Sequence, residues 1–180
     1  MKVDIFNTTN KYSIIYADPP WSYNDSGVPG GAEQHYSTMS IEDIKSLPIS
    51  SISEDDSILF IWVTFPLLQE GLDTIKAWGF EYVTLGFNWV KHWKKSMGWF
   101  MGLGNYTRSN PEICLIGVRG KKLKRKNMGI CSVVDTPVMD HSKKPDIIRK
   151  RIVELMGDLP RIELFARKEF KGWDAFGDEI

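Results

Sequence analysis

The chain has 180 residues, of which 42% are hydrophobic and 26% are charged, and it contains two cysteines and three histidines. A chain of this length and composition can bury a core without disulfides, so we predict one globular domain over residues 1–180. The cysteines and histidines match no zinc-site spacing and no apolar run is long enough for a membrane span, so we expect neither a metal site nor a membrane partner.

The net charge is zero, but the charges are unevenly distributed along the chain. Residues 1–90 hold 4 basic and 12 acidic side chains, and residues 91–180 hold 19 basic and 11 acidic ones, which gives −8 and +8. This asymmetry indicates nucleic-acid contact by one part of the surface, and an ordinary solvated face explains it equally well.

Cys114 and Cys131 lie in apolar runs, so we expect two buried, reduced thiols. Since the N-terminus lacks a signal-peptide stretch, we expect a cytoplasmic protein.

Strands and helices are predicted to alternate along the chain. In chain order the predicted elements are a strand over residues 12–17, a helix from 40 to before 48, a strand over 58–63, a helix over 66–78, strands over 80–90 and 112–118, a helix over 145–157 and a strand over 161–166. Ser40 with Asp43 resembles a capping box, and Pro66 and Pro145 stand where prolines open helices. The alternation predicts an α/β sandwich with a mainly parallel sheet.

Asp18, Pro19, Pro20 and Trp21 follow directly after the first predicted strand. Ligands of open α/β sheets bind beyond the carboxyl ends of the strands, so this position favours a binding site. The residue types suit methylation of an aromatic amine, whose nitrogen is a poor nucleophile. The Asp18 carboxylate and a Pro19 carbonyl can accept hydrogen bonds from the amine and stabilise its growing positive charge, while Trp21 offers a ring for base stacking.

The same motif and seven further blocks resemble one protein family over nearly the whole chain. The blocks are residues 36–39, 59–64, 77–80, 89–91, 112–117, 141–145 and 161–167, and the chain ends with Gly172-Trp173 and Gly177-Asp178-Glu179. They are similar to the adenine-N6 methyltransferases that include the catalytic subunit of the eukaryotic messenger-RNA adenine methyltransferase and many bacterial and phage DNA methyltransferases. This resemblance implies a Rossmann-like, three-layer α/β sandwich. It also implies a permuted order, in which the catalytic motif lies N-terminal to the cofactor-binding segments.

The resemblance further implies S-adenosyl-L-methionine as the methyl donor and a nucleic acid as the substrate. We expect transfer to the N6 amine of adenine in DNA, with RNA adenine as the alternative, because the motif contacts the base and not the sugar. Methylation of cytosine or of a protein glutamine is disfavoured, because relatives with that chemistry differ at the first and last motif positions. A non-catalytic nucleic-acid-binding subunit is the alternative from another class. The sequence leaves the oligomeric state open, and a homodimer and a heterodimer are both possible.

Roles for further residues follow from the matched family positions. Tyr36 matches a tyrosine in a substrate-gating loop, with an ordinary surface tyrosine as the alternative, and Glu112 matches a glutamate facing the substrate, with an edge-strand carboxylate as the alternative. The residues expected at the cofactor are Asp18, Pro19, Ser142, Lys144, Glu163, Arg167, Asp178 and Glu179. Lys144 precedes a helix start, where anions bind, and the alternative is a solvent-exposed charge. Asp178 stands where the family often has Asn, so it can accept hydrogen bonds but cannot donate them.

The densest basic run lies between two glycines, Gly120 and Gly129. It contributes Lys121, Lys122, Lys124 and Arg125 to the expected substrate-binding residues. These charges can neutralise several phosphates and give salt-sensitive affinity without sequence preference. A solvated loop is the alternative, and since no aromatic residue interrupts the run, it is not a stacking platform by itself.

Overall fold

A computed structural model describes residues 1–22, 38–104, 106–139 and 143–180 of the chain. The strands are β1 (Tyr12–Ala17), β2 (Ser53–Val63), β3 (Glu81–His92), β4 (Pro111–Arg119), β5 (Val133–Pro137), β6 (Arg161–Leu164) and β7 (Asp174–Phe176). The helices are α1 (Ile41–Ser46), α2 (Ile49–Ile52), α3 (Leu68–Ala77) and α4 (Ile147–Met156), and a 3₁₀ turn spans Phe65–Leu67.

The seven strands form one sheet in the order β5-β3-β4-β2-β1-β6-β7. All neighbouring pairs are parallel except those of β4, which runs antiparallel to both β2 and β3. Strand β1 and residues 57–63 of β2 are almost continuously buried, as their apolar runs predict for strands covered on both faces. Because every strand except β4 runs in the same direction, the carboxyl ends of six strands meet at one edge of the sheet, which we call the carboxyl edge. Strand β4 runs the other way and begins at this edge.

Helices cover both faces of the sheet, which gives the three layers of a Rossmann-like methyltransferase fold. Buried side chains of α1, α2 and α3, such as Ile44, Ile49 and Ile75, pack on one face. Buried side chains of α4, such as Ile148 and Ile152, pack on the other. The predicted fold class is therefore confirmed, including the early position of the Asp-Pro-Pro-Trp motif. Among the described residues, no helix is both long and apolar enough to cross a lipid bilayer.

Most predicted boundaries agree with the structure. Ser40 caps α1 by accepting a hydrogen bond from the Asp43 backbone N–H at 3.1 Å, as the capping box predicts. Gly157 ends α4 at a φ of 89°, in the left-handed region that suits glycine. The strand predicted over 161–166 ends two residues early, because Phe165 turns the chain at a φ of 59°. The expectation that both cysteines are buried is wrong for Cys131, which is exposed, and correct for Cys114.

Candidate active site

The catalytic motif and two predicted site residues meet at the carboxyl edge. Asp18 follows β1 directly, Glu112 is the second residue of β4, and Lys144 lies shortly before α4. The Lys144 ammonium nitrogen is 2.8 Å from Oδ1 and 2.9 Å from Oδ2 of Asp18, and 3.2 Å from Oε2 of Glu112. Only 9% of the Lys144 side chain is exposed, so the alternative of a solvent-exposed charge is wrong.

Lys91, at the end of β3, extends this cluster to four alternating charges. Its ammonium bonds Oε1 of Glu112, while the other carboxylate oxygen faces Lys144. The Lys91 ammonium also lies 5.1 Å from the centre of the Trp89 ring, within the range of a cation–π contact. Lys144 and Glu112 therefore each contact two opposite charges, and Lys91 contacts one opposite charge and an aromatic face, which compensates the burial of these ions.

The environment of the cluster shifts the pKa of Asp18, Lys144 and Glu112. Burial raises the pKa of Asp18 above its ordinary value, although Lys144 opposes the rise. Burial lowers the pKa of Lys144, but Asp18 and Glu112 outweigh it, so the net shift is upward. Burial also acts to raise the pKa of Glu112, but Lys144 and Lys91 outweigh it and the net shift is downward. Lys144 and Glu112 are thus held charged at neutral pH, and Asp18 is the carboxylate most ready to accept a proton.

Trp21 anchors the motif to the core instead of presenting an open ring. It is 5% exposed, belongs to the cluster under α1 to α3, and its indole N–H donates to the Trp62 carbonyl at 3.0 Å. The ring is therefore covered in this structure, and base stacking on it stays a prediction that requires the ring to be uncovered. The Pro19 carbonyl accepts from the Trp21 backbone N–H at 2.9 Å, which leaves its second lone pair for another donor.

Glu163 lies on β6, beside β1, and is bound on both oxygens by Arg149 of α4. The Arg149 Nε–Oε2 distance is 2.6 Å, and its Nη2 bonds Oε1. The guanidinium also stacks 3.7 Å from the centre of the Phe170 ring. Burial raises the pKa of Glu163, and Arg149 opposes the rise. Arg149 pairs with both oxygens, and the expected contact of Glu163 with the cofactor stays a prediction, for which the carboxylate keeps further lone pairs. The sequence reasoning missed Arg149, which lies in no matched motif.

The ends of β6 and β7 bring the last candidate residues together. The Ala166 backbone N–H donates to the Phe176 carbonyl at 2.9 Å, and a Cβ on Gly177 would lie 2.2 Å from the Ala166 carbonyl oxygen. Only glycine tolerates this approach. It places Arg167 Nε 3.6 Å from Oε1 of Glu179, and Arg167 is close enough to Asp18 to lower the pKa of that carboxyl. Asp178 is exposed next to Glu179.

The basic loop, residues 120–129, lies at the opposite edge of the sheet. It follows the end of β4, and β4 runs from Glu112 at the carboxyl edge to Arg119, a distance of about 24 Å at 3.4 Å per residue. The Lys121 backbone N–H donates to Asp56 near the start of β2, and that of Lys126 donates to Leu155 near the end of α4.

Substrate binding by Lys121, Lys122, Lys124 and Arg125 therefore stays a prediction, for phosphates that lie farther along a nucleic acid than the target base. Tyr36 and Ser142 lie outside the described residues.

The fold and the site define the class of protein. A Rossmann-like sheet carries an acidic motif at the carboxyl end of β1, with cationic and carboxylate groups converging beside it, as in the S-adenosylmethionine-dependent methyltransferases. The chain belongs to the MT-A70 family, whose sequence profile matches residues 12–179.

Three relatives show how the match is distributed. The chain is 33% identical over 189 residues to the type II methyltransferase M.MunI of a Mycoplasma species, covering 94% of this chain and 78% of that protein. It is 30% identical over 174 residues to human METTL3, named as the N(6)-adenosine-methyltransferase catalytic subunit, and 30% identical over 173 residues to the MT-A70-like N(6)-adenosine-methyltransferase of Drosophila melanogaster. Those matches cover 94% of this chain but only 28% and 27% of the relatives.

Proposed function

We propose that this protein transfers a methyl group from S-adenosylmethionine to the N6 amine of adenine in DNA. The observation that carries the proposal is the position of Asp18. It stands at the carboxyl end of β1, within the family's motif, and is held by the buried Lys144 at 2.8 Å. Family membership supports a methyltransferase, and the names of the relatives support adenine N6 as the target.

Asp18 and Pro19 are the groups that act on the amine. Its lone pair is delocalised into the base, so it attacks a carbon only when the nitrogen becomes pyramidal. A carboxylate oxygen of Asp18 and the free lone pair of the Pro19 carbonyl accept the two N–H bonds, and they stabilise the positive charge that develops on nitrogen. Asp18 is suited to take up the proton that the nitrogen then loses, because burial raises its pKa.

Lys144 and Glu112 position Asp18 for this task. Lys144 contacts both oxygens of Asp18 and one of Glu112, so it can move toward Glu112 when the incoming amine needs an oxygen of Asp18. Because Lys91 holds the other oxygen of Glu112, that carboxylate stays in place during such a shift. Lys144 thus keeps the buried carboxylates neutralised before and during binding.

The groups near β6 and β7 fit the cofactor chemically. S-adenosylmethionine supplies an electrophilic methyl on a sulfonium, and it carries a carboxylate and ribose hydroxyls. Arg167 and Lys144 are cations suited to that carboxylate, while Glu179 and Asp178 are acceptors suited to the hydroxyls. Arg167 follows β6, which borders β1, and Asp178 and Glu179 follow β7, the next strand. Lys144 contacts Asp18 directly, so we expect the cofactor and the amine to meet near Asp18.

DNA is the proposed substrate, and adenine in RNA is the alternative. Of the three relatives above, M.MunI has the largest share of its length covered, and its name does not refer to adenosine. The two eukaryotic relatives are named for N6-adenosine, a ribonucleoside, and this supports the alternative. A cytoplasmic location belongs to the same proposal, because Cys114 and Cys131 are free thiols, as is usual in a reducing compartment.

Two measurements on four proteins test the proposal. Calorimetry with S-adenosylmethionine measures cofactor binding, and transfer of a labelled methyl to matched DNA and RNA oligonucleotides measures activity. Wild type binds the cofactor and labels DNA, whereas Asp18→Ala and Asp18→Asn bind it and label neither polymer. Asp73→Asn, an exposed carboxylate of α3, serves as the matched control and keeps full activity. Equal activity of wild type and Asp18→Ala would remove Asp18 from the mechanism, and absence of cofactor heat would favour a non-catalytic subunit.

A further inference from the structure

The segment between β3 and β4 forms an exposed double hairpin at the carboxyl edge, made of two successive antiparallel turns. We call its described part, residues 93–104 and 106–110, the aromatic hairpin. Antiparallel bridges join His92 to Trp99 and Gly102 to Ser109, and the Gly102 N–H donates to the Ser109 carbonyl at 2.8 Å. Because β3 ends and β4 begins at the carboxyl edge, the hairpin projects from the same edge as Asp18.

The aromatic hairpin combines exposed rings with cations. Trp99 is 56% exposed, Trp93 is 42% exposed and Tyr106 is fully exposed. Lys94, Lys95 and Arg108 are exposed in the same segment. Residues 93–110 contain no Asp or Glu. Alternating aromatic and basic side chains without carboxylates are typical of surfaces that bind single-stranded nucleic acid, where rings stack on bases and cations bind phosphates.

Direct contacts connect the hairpin to the site. The side-chain amide of Asn110 donates to the Lys91 carbonyl at 2.6 Å and to the Phe100 carbonyl at 2.7 Å. The Trp93 ring meets Phe100 edge-on at 4.8 Å between centres. Lys91, whose ammonium bonds Glu112, thus belongs both to the charge cluster and to the base of the hairpin. The hairpin is therefore held in a defined place beside the proposed target base.

We propose that the aromatic hairpin holds the nucleotides that flank the target adenine, with Trp99 stacking on a neighbouring base and Lys94, Lys95 and Arg108 binding phosphates. This inference rests on the proposed function. An enzyme that modifies a base amine must take the base out of its stack, and this leaves the neighbouring bases with an uncovered face. Stacking on Trp99 replaces part of the lost contact and does not depend on which base is present.

A second copy of this chain is a poorer occupant of the surface. A symmetric dimer that paired the hairpin with its own equivalent would bring like charges together. The exposed Lys95 and Arg108 would then face the same residues of the other copy, and residues 93–110 contain no carboxylate. Phosphates provide the opposite charge that the hairpin lacks.

Fluorescence anisotropy of a labelled, adenine-containing oligonucleotide, with S-adenosylhomocysteine present, tests the stacking. Trp99→Ala weakens binding about tenfold, the effect of removing one base–aromatic stack, and Trp99→Phe restores most of the affinity. Tyr82→Ala is the matched control, because Tyr82 is a half-exposed ring at the start of β3, at the opposite edge. An abasic site next to the adenine lowers the affinity of wild type for the oligonucleotide, because the base that would stack on Trp99 is missing. The already low affinity of Trp99→Ala does not change.

The salt dependence of binding tests the cations. In Lys94→Ala/Lys95→Ala the slope of log affinity against log salt flattens by about 1 to 2, because up to two phosphate contacts are lost. Lys150→Ala, an exposed lysine of α4, leaves the slope unchanged. Sedimentation velocity on the same variants reports whether the hairpin holds a second copy instead.

Separate outcomes overturn the inference and the proposed function. If wild type methylates adenine while Trp99→Ala binds the oligonucleotide with unchanged affinity, the inference is wrong and the proposed function stands. A change of oligomeric state in Trp99→Ala at unchanged affinity assigns the hairpin to a second copy and overturns the inference. If wild type neither binds nor methylates any oligonucleotide, both are wrong.

Discussion

Replacing Lys144 by Met removes the cation that two buried carboxylates share. Met has a similar length and no charge, so Asp18 and Glu112 lose their ion pairs with Lys144 while the space stays filled. Breaking a buried pair by removing one partner costs about 3 to 5 kcal/mol. We expect about 3 kcal/mol, the lower end, because Lys91 still pairs with Glu112 and Asp18 keeps some contact with water.

The loss depends on pH in a defined direction. In wild type the pKa of Glu112 is lowered, so its contribution to stability is present above its ordinary pKa and is lost as the pH falls through the lowered value. The raised pKa of Lys144 makes its contribution disappear only in strong alkali. The penalty of Lys144→Met is therefore full near pH 7.5. The penalty becomes smaller as the pH falls toward 4, because protonation removes the charge of carboxyls that have lost Lys144.

Urea denaturation at the two pH values measures this penalty, and thermal unfolding at pH 7.5 shows it as a fall in Tm of about 6 to 12 °C. The control is Lys143→Met, the neighbouring residue, whose half-exposed pair with Asp146 at 3.2 Å contributes less than about 1 kcal/mol. Equal penalties at both pH values, or equal penalties for the two lysines, would refute the reasoning.

Three further predictions concern other parts of the molecule. Arg149→Met leaves Glu163 buried without its partner and lowers the free energy of unfolding by about 3 kcal/mol. Arg149→Lys recovers only part of this loss. A free energy of unfolding of Arg149→Met within about 1 kcal/mol of wild type, measured by urea denaturation, would contradict this prediction. Gly177→Ala pushes a Cβ against the Ala166 carbonyl and disturbs the contact between the ends of β6 and β7, so we expect calorimetry to show weaker cofactor binding. An unchanged affinity would argue against a cofactor site at the ends of these two strands. Neutralising the basic loop flattens the salt dependence of nucleic-acid binding, because phosphate contacts are lost. It does not change kcat, because the loop begins about 24 Å from Glu112. If the slope of log affinity against log salt is unchanged, the loop is an ordinary solvated loop.

Much of the fold could be predicted because apolar runs and punctuating residues carry it. The buried run of residues 58–63 lies within β2, and Pro66 and Gly79 bracket the turn and helix that follow. The short strands β5 and β7 were missed, since five and three residues with mixed exposure give no clear period. The register shift in β3 next to Gly86 falls where that glycine interrupts the predicted strand.

Asp18, Glu112 and Lys144 lie in matched motifs, at the end of β1, at the start of β4 and before α4, and their meeting at one edge follows from these positions. The position of the basic loop was not predictable, because strand direction does not appear in the hydrophobic pattern. Only the antiparallel pairing of β4 shows that residues after Arg119 lie opposite the site. Lys91 belongs to the matched block of residues 89–91, but the sequence assigns it no role, because its contact with Glu112 depends on the pairing of β3 with β4.

The central claim is that Asp18 directs a methyl group to the N6 amine of adenine. Mass spectrometry of nucleosides, after incubation of the protein with S-adenosylmethionine and adenine-containing DNA and complete digestion, tests it most directly. The account predicts N6-methyl-2′-deoxyadenosine from wild type and none from Asp18→Ala. A methyl group found on cytosine, or the same adenine product from both proteins, would contradict it.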